Sequence, residues 1–226
     1  MPGGFFLIYF LLLLIIPLWA QSRVRGAYKK YSQLPTSSQM TGYEVARKIL
    51  DDNGLYDVTI EEVRGVLTDH YDPSKKAVRL SQENYRGRSM AAAAVAAHEV
   101  GHALQHANGY AFLSFRTALV PLASFGSRSA IWLIIIGFLL SAMNLVLIGI
   151  VFMSFAVLFQ LVTLPVEFNA STRAMDQLVV SGIIRNDEER ATKKVLDAAA
   201  LTYVAAALVA VAELIRFILM FMASND

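Results

Sequence analysis

The chain contains no cysteine. Disulfides and thiolate metal sites are therefore excluded, and the redox compartment is left open. Charge is scarce as well. Asp, Glu, Lys and Arg make up 17% of 226 residues, 56% are hydrophobic and the mean hydropathy is +0.48, which excludes an ordinary soluble domain of this length. The scarcity hides no imbalance: a formal net charge of +2 gives no reason to expect a nucleic-acid partner. There is no internal repeat, low-complexity tract or Pro-rich linker; residues 33–40, rich in Ser and Thr, form the one loose connector.

What the chain has in place of charge is long apolar runs. The first extends from Phe5 to Trp19, and no clear small-residue cleavage pattern precedes Arg23, so it is expected to stay as an anchor. Ile131 to Pro165 is a second run of 35 residues without a charge, softened by Gly137, Ser141, Asn144 and Gly149. One bilayer crossing needs about 20 helical residues, so this run is a tight hairpin of two spans or one long tilted span. A last segment, Ala198 to Met222, is long enough to cross; its alanines allow close helix packing, and Glu213 has Arg216 as its intrahelical partner.

Arg23, Arg25, Lys29 and Lys30 follow the first run, whereas no basic residue precedes it. Positive residues favour the cytoplasm, and Arg173, Arg185, Arg190, Lys193 and Lys194 mark a second segment for the same side. Both lie there only if the run between them crosses an even number of times, which favours the hairpin and leaves Ser224, Asn225 and Asp226 outside. The expected organisation is an N-terminal membrane anchor over 1–22, a cytoplasmic zincin-like domain over 23–130, a transmembrane hairpin over 131–165, a helix and cytoplasmic segment over 166–197, and a C-terminal transmembrane helix over 198–226.

Three of the four histidines fall between positions 98 and 106. His98-Glu99-Val100-Gly101-His102 is the H-E-x-x-H pattern of zinc peptidases. On a helix, residues four apart share a face, so His98 and His102 can present ring nitrogens to one ion with Glu99 beside them as general base. The flanks predict that helix: Ser89 is an N-cap residue, Met90 to Ala97 is nearly all alanine, and Asn108-Gly109 is a stop. His106 keeps the four-residue spacing but lies about 12 Å along the axis from His98, too far to share a tetrahedral ion with both others. It is expected to support the site or the structure. The extended metzincin pattern fails, because Gln105 and Asn108 stand where glycine and a third histidine belong.

The third ligand must therefore come from elsewhere. Glu167 is the leading candidate, opening a helix after the hairpin with Pro165 near its first turn; Asp176 and Asp187 are the alternatives. Ahead of the motif, Thr41 to Asp52 reads as a helix with Thr41 and Glu44 as a capping box and Asn53-Gly54 as its end. Tyr56–Val63, Val66–Tyr71 and Lys76–Leu80 have strand character, with Asp72-Pro73-Ser74 as a turn. An antiparallel ribbon here would give a substrate peptide an edge to pair with, or simply close a core. His70 and Tyr71, in Asp69-His70-Tyr71-Asp72, are candidates to bind a developing oxyanion, and Arg173 to hold that oxyanion or a substrate carboxylate; each has an equally good structural reading.

Ala97 to His106, together with Leu67-Thr68-Asp69-His70-Tyr71-Asp72-Pro73 and Pro165-Val166-Glu167-Phe168-Asn169-Ala170-Ser171, resembles the YugP-type membrane zinc metallopeptidases of bacteria over nearly the whole chain. The resemblance implies a mainly α membrane protein with about four transmembrane helices, a zincin-like helical core with a small β-ribbon, and a gluzincin-like site. It implies Glu99 as base, His98, His102 and Glu167 as ligands of one Zn2+ per chain, and a polypeptide substrate in or near the lipid bilayer. The layout is also similar to that of HtpX-type membrane proteases, in which a hairpin separates the two halves of the site. Those enzymes commonly carry an aspartate four residues after the ligand glutamate, where this chain has Ser171; Asn169 or Asp176 would be substitutes as supports of a ligating histidine. Two other classes compete with a membrane-bound zinc endopeptidase of cytoplasmic face. One is an intramembrane metalloprotease, with the motif helix itself in the bilayer, and the other a non-enzymatic membrane scaffold or chaperone with a structural metal.

Overall fold

A computed structural model describes residues 3–224, with side chains from residue 7; Asn225 and Asp226, expected outside the membrane, lie beyond the described residues. The chain is mainly helical, and among the described residues four helices are long and apolar enough to cross a membrane. It divides into two compact units.

The first unit comprises Met1–Leu18, Ala111–Pro165 and Tyr203–Asp226. It takes in the start of α1 (Gly3–Tyr31), all of α5 (Ala111–Leu139), most of α6 (Met143–Val180) and the end of α7 (Asn186–Ala223). Its small apolar cluster is built on Ile134, Val146, Ile150 and Phe217. The charge-free run is a hairpin, with Leu140, Ser141 and Ala142 at the turn and Ser141 left-handed at φ 53°. Its first arm starts at Ala111 rather than Ile131, since Arg116 and Arg128 do not stop a helix. Gly137 and Gly149 are contact points rather than interruptions. A Cβ on Gly149 would meet the Ala130 carbonyl oxygen at 2.9 Å, so the two arms lie backbone to backbone. Glu213 does pair with Arg216, and it also accepts a hydrogen bond from the Tyr9 hydroxyl at 2.7 Å.

The second unit comprises Trp19–Tyr110 and Val166–Thr202. Thr41 caps α2 (Gly42–Asp52) in the expected capping box with Glu44, and Asn53 closes it. Helices α3 (Gln82–Arg86) and α4 (Met90–Ala107) follow the strands. The core joins Val45, Ile49 and Leu50 of α2, Val78 and Leu80 of the sheet, the alanines of α4, and Ala174 and Leu178 of α6.

The strands correct the expected ribbon. β1 (Thr59–Val63), β2 (His70–Asp72) and β3 (Ala77–Ser81) form a three-stranded sheet in the order β1-β3-β2. β2 pairs antiparallel with β3 from His70↔Arg79 to Asp72↔Ala77, but β1 runs parallel to β3 from Thr59↔Ala77 to Val63↔Ser81. The strand expected over Val66–Tyr71 shrinks because Gly65 (φ 111°) and Leu67 (φ 55°) turn the backbone left-handed and end the extended path. The turn at Asp72 forms as expected, its carboxylate accepting from the backbone N–H groups of Ser74 and Lys75.

A second correction concerns Glu167. No helix restarts at Pro165: α6 continues through it from Met143 to Val180. Proline removes one N–H from the ladder, and such gaps are tolerated in long apolar helices whose neighbours satisfy the freed carbonyl.

Candidate metal centre

Helix α4 starts where the Ser89 hydroxyl accepts the Ala92 N–H at 3.2 Å. Alanine is the best helix former and the least bulky side chain that still packs, and Ala91–Ala94, Ala96 and Ala97 are all buried. Gly101, between the two histidines, takes this economy furthest. A Cβ there would lie 2.6 Å from the Ala170 carbonyl oxygen, so the gap in the motif is what lets α4 and α6 touch.

That contact sets Glu167 opposite the two imidazoles. Its Oε2 lies 3.3 Å from His98 Nε2 and 3.6 Å from His102 Nε2, and one donor atom from each residue falls within 4.8 Å of the others. A tetrahedral zinc with bonds of about 2.0–2.1 Å separates its ligands by about 3.3 Å. The two nitrogens and one carboxylate oxygen therefore fit a zinc ion in identity and in spacing. Both imidazoles are nearly buried, with side chains 13% and 12% exposed, and Glu167 is 2% exposed.

The far nitrogens of the imidazoles also have partners. His102 Nδ1 lies 3.0 Å from Gln105 Oε1 and His98 Nδ1 3.2 Å from Ser171 Oγ. Ser171 thus takes the place at which the HtpX-type layout puts an aspartate, and the support it offers is neutral. Asn169 is not in contact with a histidine; its Oδ1 accepts from Gln105 Nε2 at 3.0 Å and from Arg173 Nε at 2.8 Å. Asp176 and Asp187 are exposed and outside the donor cluster.

Glu99 is buried beside the donors. Burial pushes its carboxyl above the ordinary glutamate value, and the positive character of His98 and His102 only partly opposes this. Burial alone would lower His102, but the Glu167 carboxylate, 3.6 Å from its Nε2, and the negative charge of Glu99 outweigh it and raise that imidazole.

The remaining candidates sit further out. His106 is exposed, with Nδ1 2.9 Å from the Tyr71 hydroxyl, so the pair fastens the sheet to the end of α4. His70 is exposed and turned to Thr68 O and Arg79. Asp69 accepts from Ser81 N at 2.7 Å and from Asn84 Nδ2 at 2.9 Å, which makes this stretch a structural corner. The Arg173 guanidinium carbon lies 6.0 Å from the centre of the Tyr110 ring. Sequence reasoning noticed Gln105 only as a departure from the metzincin pattern. Its position three residues after His102, on the same helical face, was the available signal.

The family described as "Putative neutral zinc metallopeptidase" matches residues 6–222. "Putative membrane protease YugP" of Bacillus subtilis (strain 168) is 55% identical over 208 residues, covering 92% of this chain and 92% of that protein. No solved structure matches.

Proposed function

The chain belongs to the neutral zinc metallopeptidase family, and from that premise we propose that it is a multi-pass membrane endopeptidase using one zinc ion held by His98, His102 and Glu167. The observation that carries this reading is the spacing of the donors: the Glu167 oxygen lies 3.3 and 3.6 Å from the two imidazole nitrogens, close to the tetrahedral edge of about 3.3 Å, and the set falls within 4.8 Å. When bound, the ion supplies a Lewis acid for a peptide carbonyl and lowers the pKa of a water to about 7. His98 and His102 would hold the ion through Nε2, and their Nδ1 atoms lie within hydrogen-bond distance of Ser171 and Gln105 respectively. The Glu99 carboxylate takes the proton of the attacking water and passes it to the amine nitrogen that leaves. Its burial favours this task, since a desolvated carboxylate is the stronger base.

Among the described residues the cluster has three donors, which supports a catalytic site over a structural one, since the latter normally closes with four protein ligands. The buried alanines of α4, packed against α2 and the sheet, support a motif helix housed in protein rather than in lipid. Helix α4 is also not among the four candidate spans. The basic residues at 23–30 and 173–194, with a hairpin crossing between them, favour a cytoplasmic catalytic face. A site carried on a membrane-anchored chain favours membrane or membrane-proximal polypeptides as substrates.

The test is zinc per chain in detergent-purified protein, wild type against Glu167→Ala. One equivalent in wild type and clear loss in the variant is the expected result. Wild type that takes up no zinc from a supplemented medium would sink the proposal, and unchanged zinc in Glu167→Ala would move the third ligand elsewhere.

A further inference from the structure

Side chains beyond the three donors form a hydrogen-bond chain whose direction is set at the end that has no choice. Arg173 carries only donors, and its Nε points at Asn169 Oδ1 from 2.8 Å. Gln105 Nε2 approaches that same oxygen at 3.0 Å and the Val166 carbonyl oxygen, which can only accept, at 2.8 Å. Both neighbours on this side are acceptors, so the amide nitrogen of Gln105 belongs here and its oxygen belongs at the other end, 3.0 Å from His102 Nδ1. An amide oxygen accepts. His102 must therefore carry a hydrogen on Nδ1, and in its neutral form, the form that binds a metal, it presents the Nε2 lone pair on the side of the Glu167 carboxylate. Gln105 is fully buried at 0% exposure, and its amide meets its needs within this chain.

We infer that Gln105 is the positioning residue of the site: it fixes the tautomer and ring orientation of His102 and locks that ring to the stretch of α6 that carries Glu167. This rests on the zinc reading above. Ser171 has a lesser role, because a hydroxyl both donates and accepts and so permits either tautomer of His98 at its 3.2 Å contact. The two histidines are thus unequally supported, one commanded and one accommodated.

The full-length detergent-purified protein tests this through zinc affinity, measured by competition with a chromogenic chelator, and through the visible spectrum of the cobalt-substituted form. Gln105→Leu is expected to weaken zinc binding by about 10- to 100-fold and to alter the cobalt spectrum, and Ser171→Ala to weaken it by less than about tenfold. A folded Gln105→Leu protein with wild-type affinity and spectrum overturns the inference and leaves the zinc reading standing; a wild type that binds no zinc overturns that reading itself. Helix content and thermal midpoint of the metal-free variants establish folding. Should Gln105→Leu not fold, Asn169→Asp against Asn169→Leu decides: aspartate keeps an acceptor for Gln105 and Arg173 and should lose less affinity than leucine, whereas Asn169→Leu at wild-type affinity overturns the inference.

Discussion

The two compact units treat polar side chains in opposite ways. In the unit of long apolar helices, charge is paired locally: Glu213 is paired with Arg216 and Tyr9, and the Arg216 guanidinium carbon lies 4.1 Å from the Phe217 ring centre. In the other unit, Glu99, Gln105 and Glu167 are all buried, and donor atoms of His98, His102 and Glu167 gather within 4.8 Å of one another. The difference follows from what surrounds each. Lipid offers no hydrophobic drive for helix association and no hydrogen bonds, so contacts use small residues such as Gly149 and ionised groups neutralise one another locally. The second unit buries Ile49, Leu50, Leu80 and Leu178, and burial of such apolar side chains offsets the cost of holding polar groups dehydrated beside them.

If chemistry belongs to the second unit alone, the largest effect should come from its buried base. Glu99→Gln is expected to reduce peptidase activity by about 10^2- to 10^4-fold while zinc content stays at the wild-type level. Full activity in a zinc-loaded Glu99→Gln protein would break the comparison at its root. Next comes the contact between α4 and α6. Gly101→Val forces a side chain against the Ala170 carbonyl and should destabilise by about 1–3 kcal/mol with loss of zinc, whereas Gly26→Ala, which meets nothing within 4 Å, should do neither. Thermal unfolding and metal content read both.

Smaller still is the corresponding cut in the first unit. Glu213→Leu strands Arg216 and the Tyr9 hydroxyl and should cost about 1 kcal/mol of stability, with activity per folded molecule unchanged. Activity that falls in proportion to nothing but Glu213 would give this pair a task and erase the contrast. The smallest effect is expected at Asp72. The Ser74 hydroxyl bond, then backbone N–H groups and Arg79, hold its carboxyl at about 2, below the ordinary 3.8. Its stabilising contribution is fully present above pH 3.8 and disappears as pH falls to about 2, so Asp72→Asn should flatten the acid limb of stability only in that window.

Local signals carried much of this molecule. The capping box of Thr41 and Glu44, the Ser89 cap and the stop at Asn108 are read from neighbours within four residues, and each forms as expected. Signals that depend on the partner were less legible. The parallel pairing of β1 with β3 is set by which strand lies between, and the left-handed turn at Leu67, a residue with no preference for it, shortened β2. Pro165 looked like a helix start because proline in isolation favours one, yet α6 runs through it.

The sequence by itself determined the apolar helices, the hairpin, and the presence of two histidines and a glutamate on one helix, because hydropathy and helical periodicity are properties of consecutive residues. Only the tertiary structure decided which carboxylate stands opposite them and which group from α6 meets the far nitrogen of His98. Glu167 lies 69 residues from His98, and it reaches the imidazoles because Gly101 lets two backbones approach; Ser171 meets the His98 ring by virtue of that same contact, whereas Gln105 reaches His102 along α4 itself. Spacing along a chain cannot encode such an encounter, since it depends on how two helices pack and not on either helix alone.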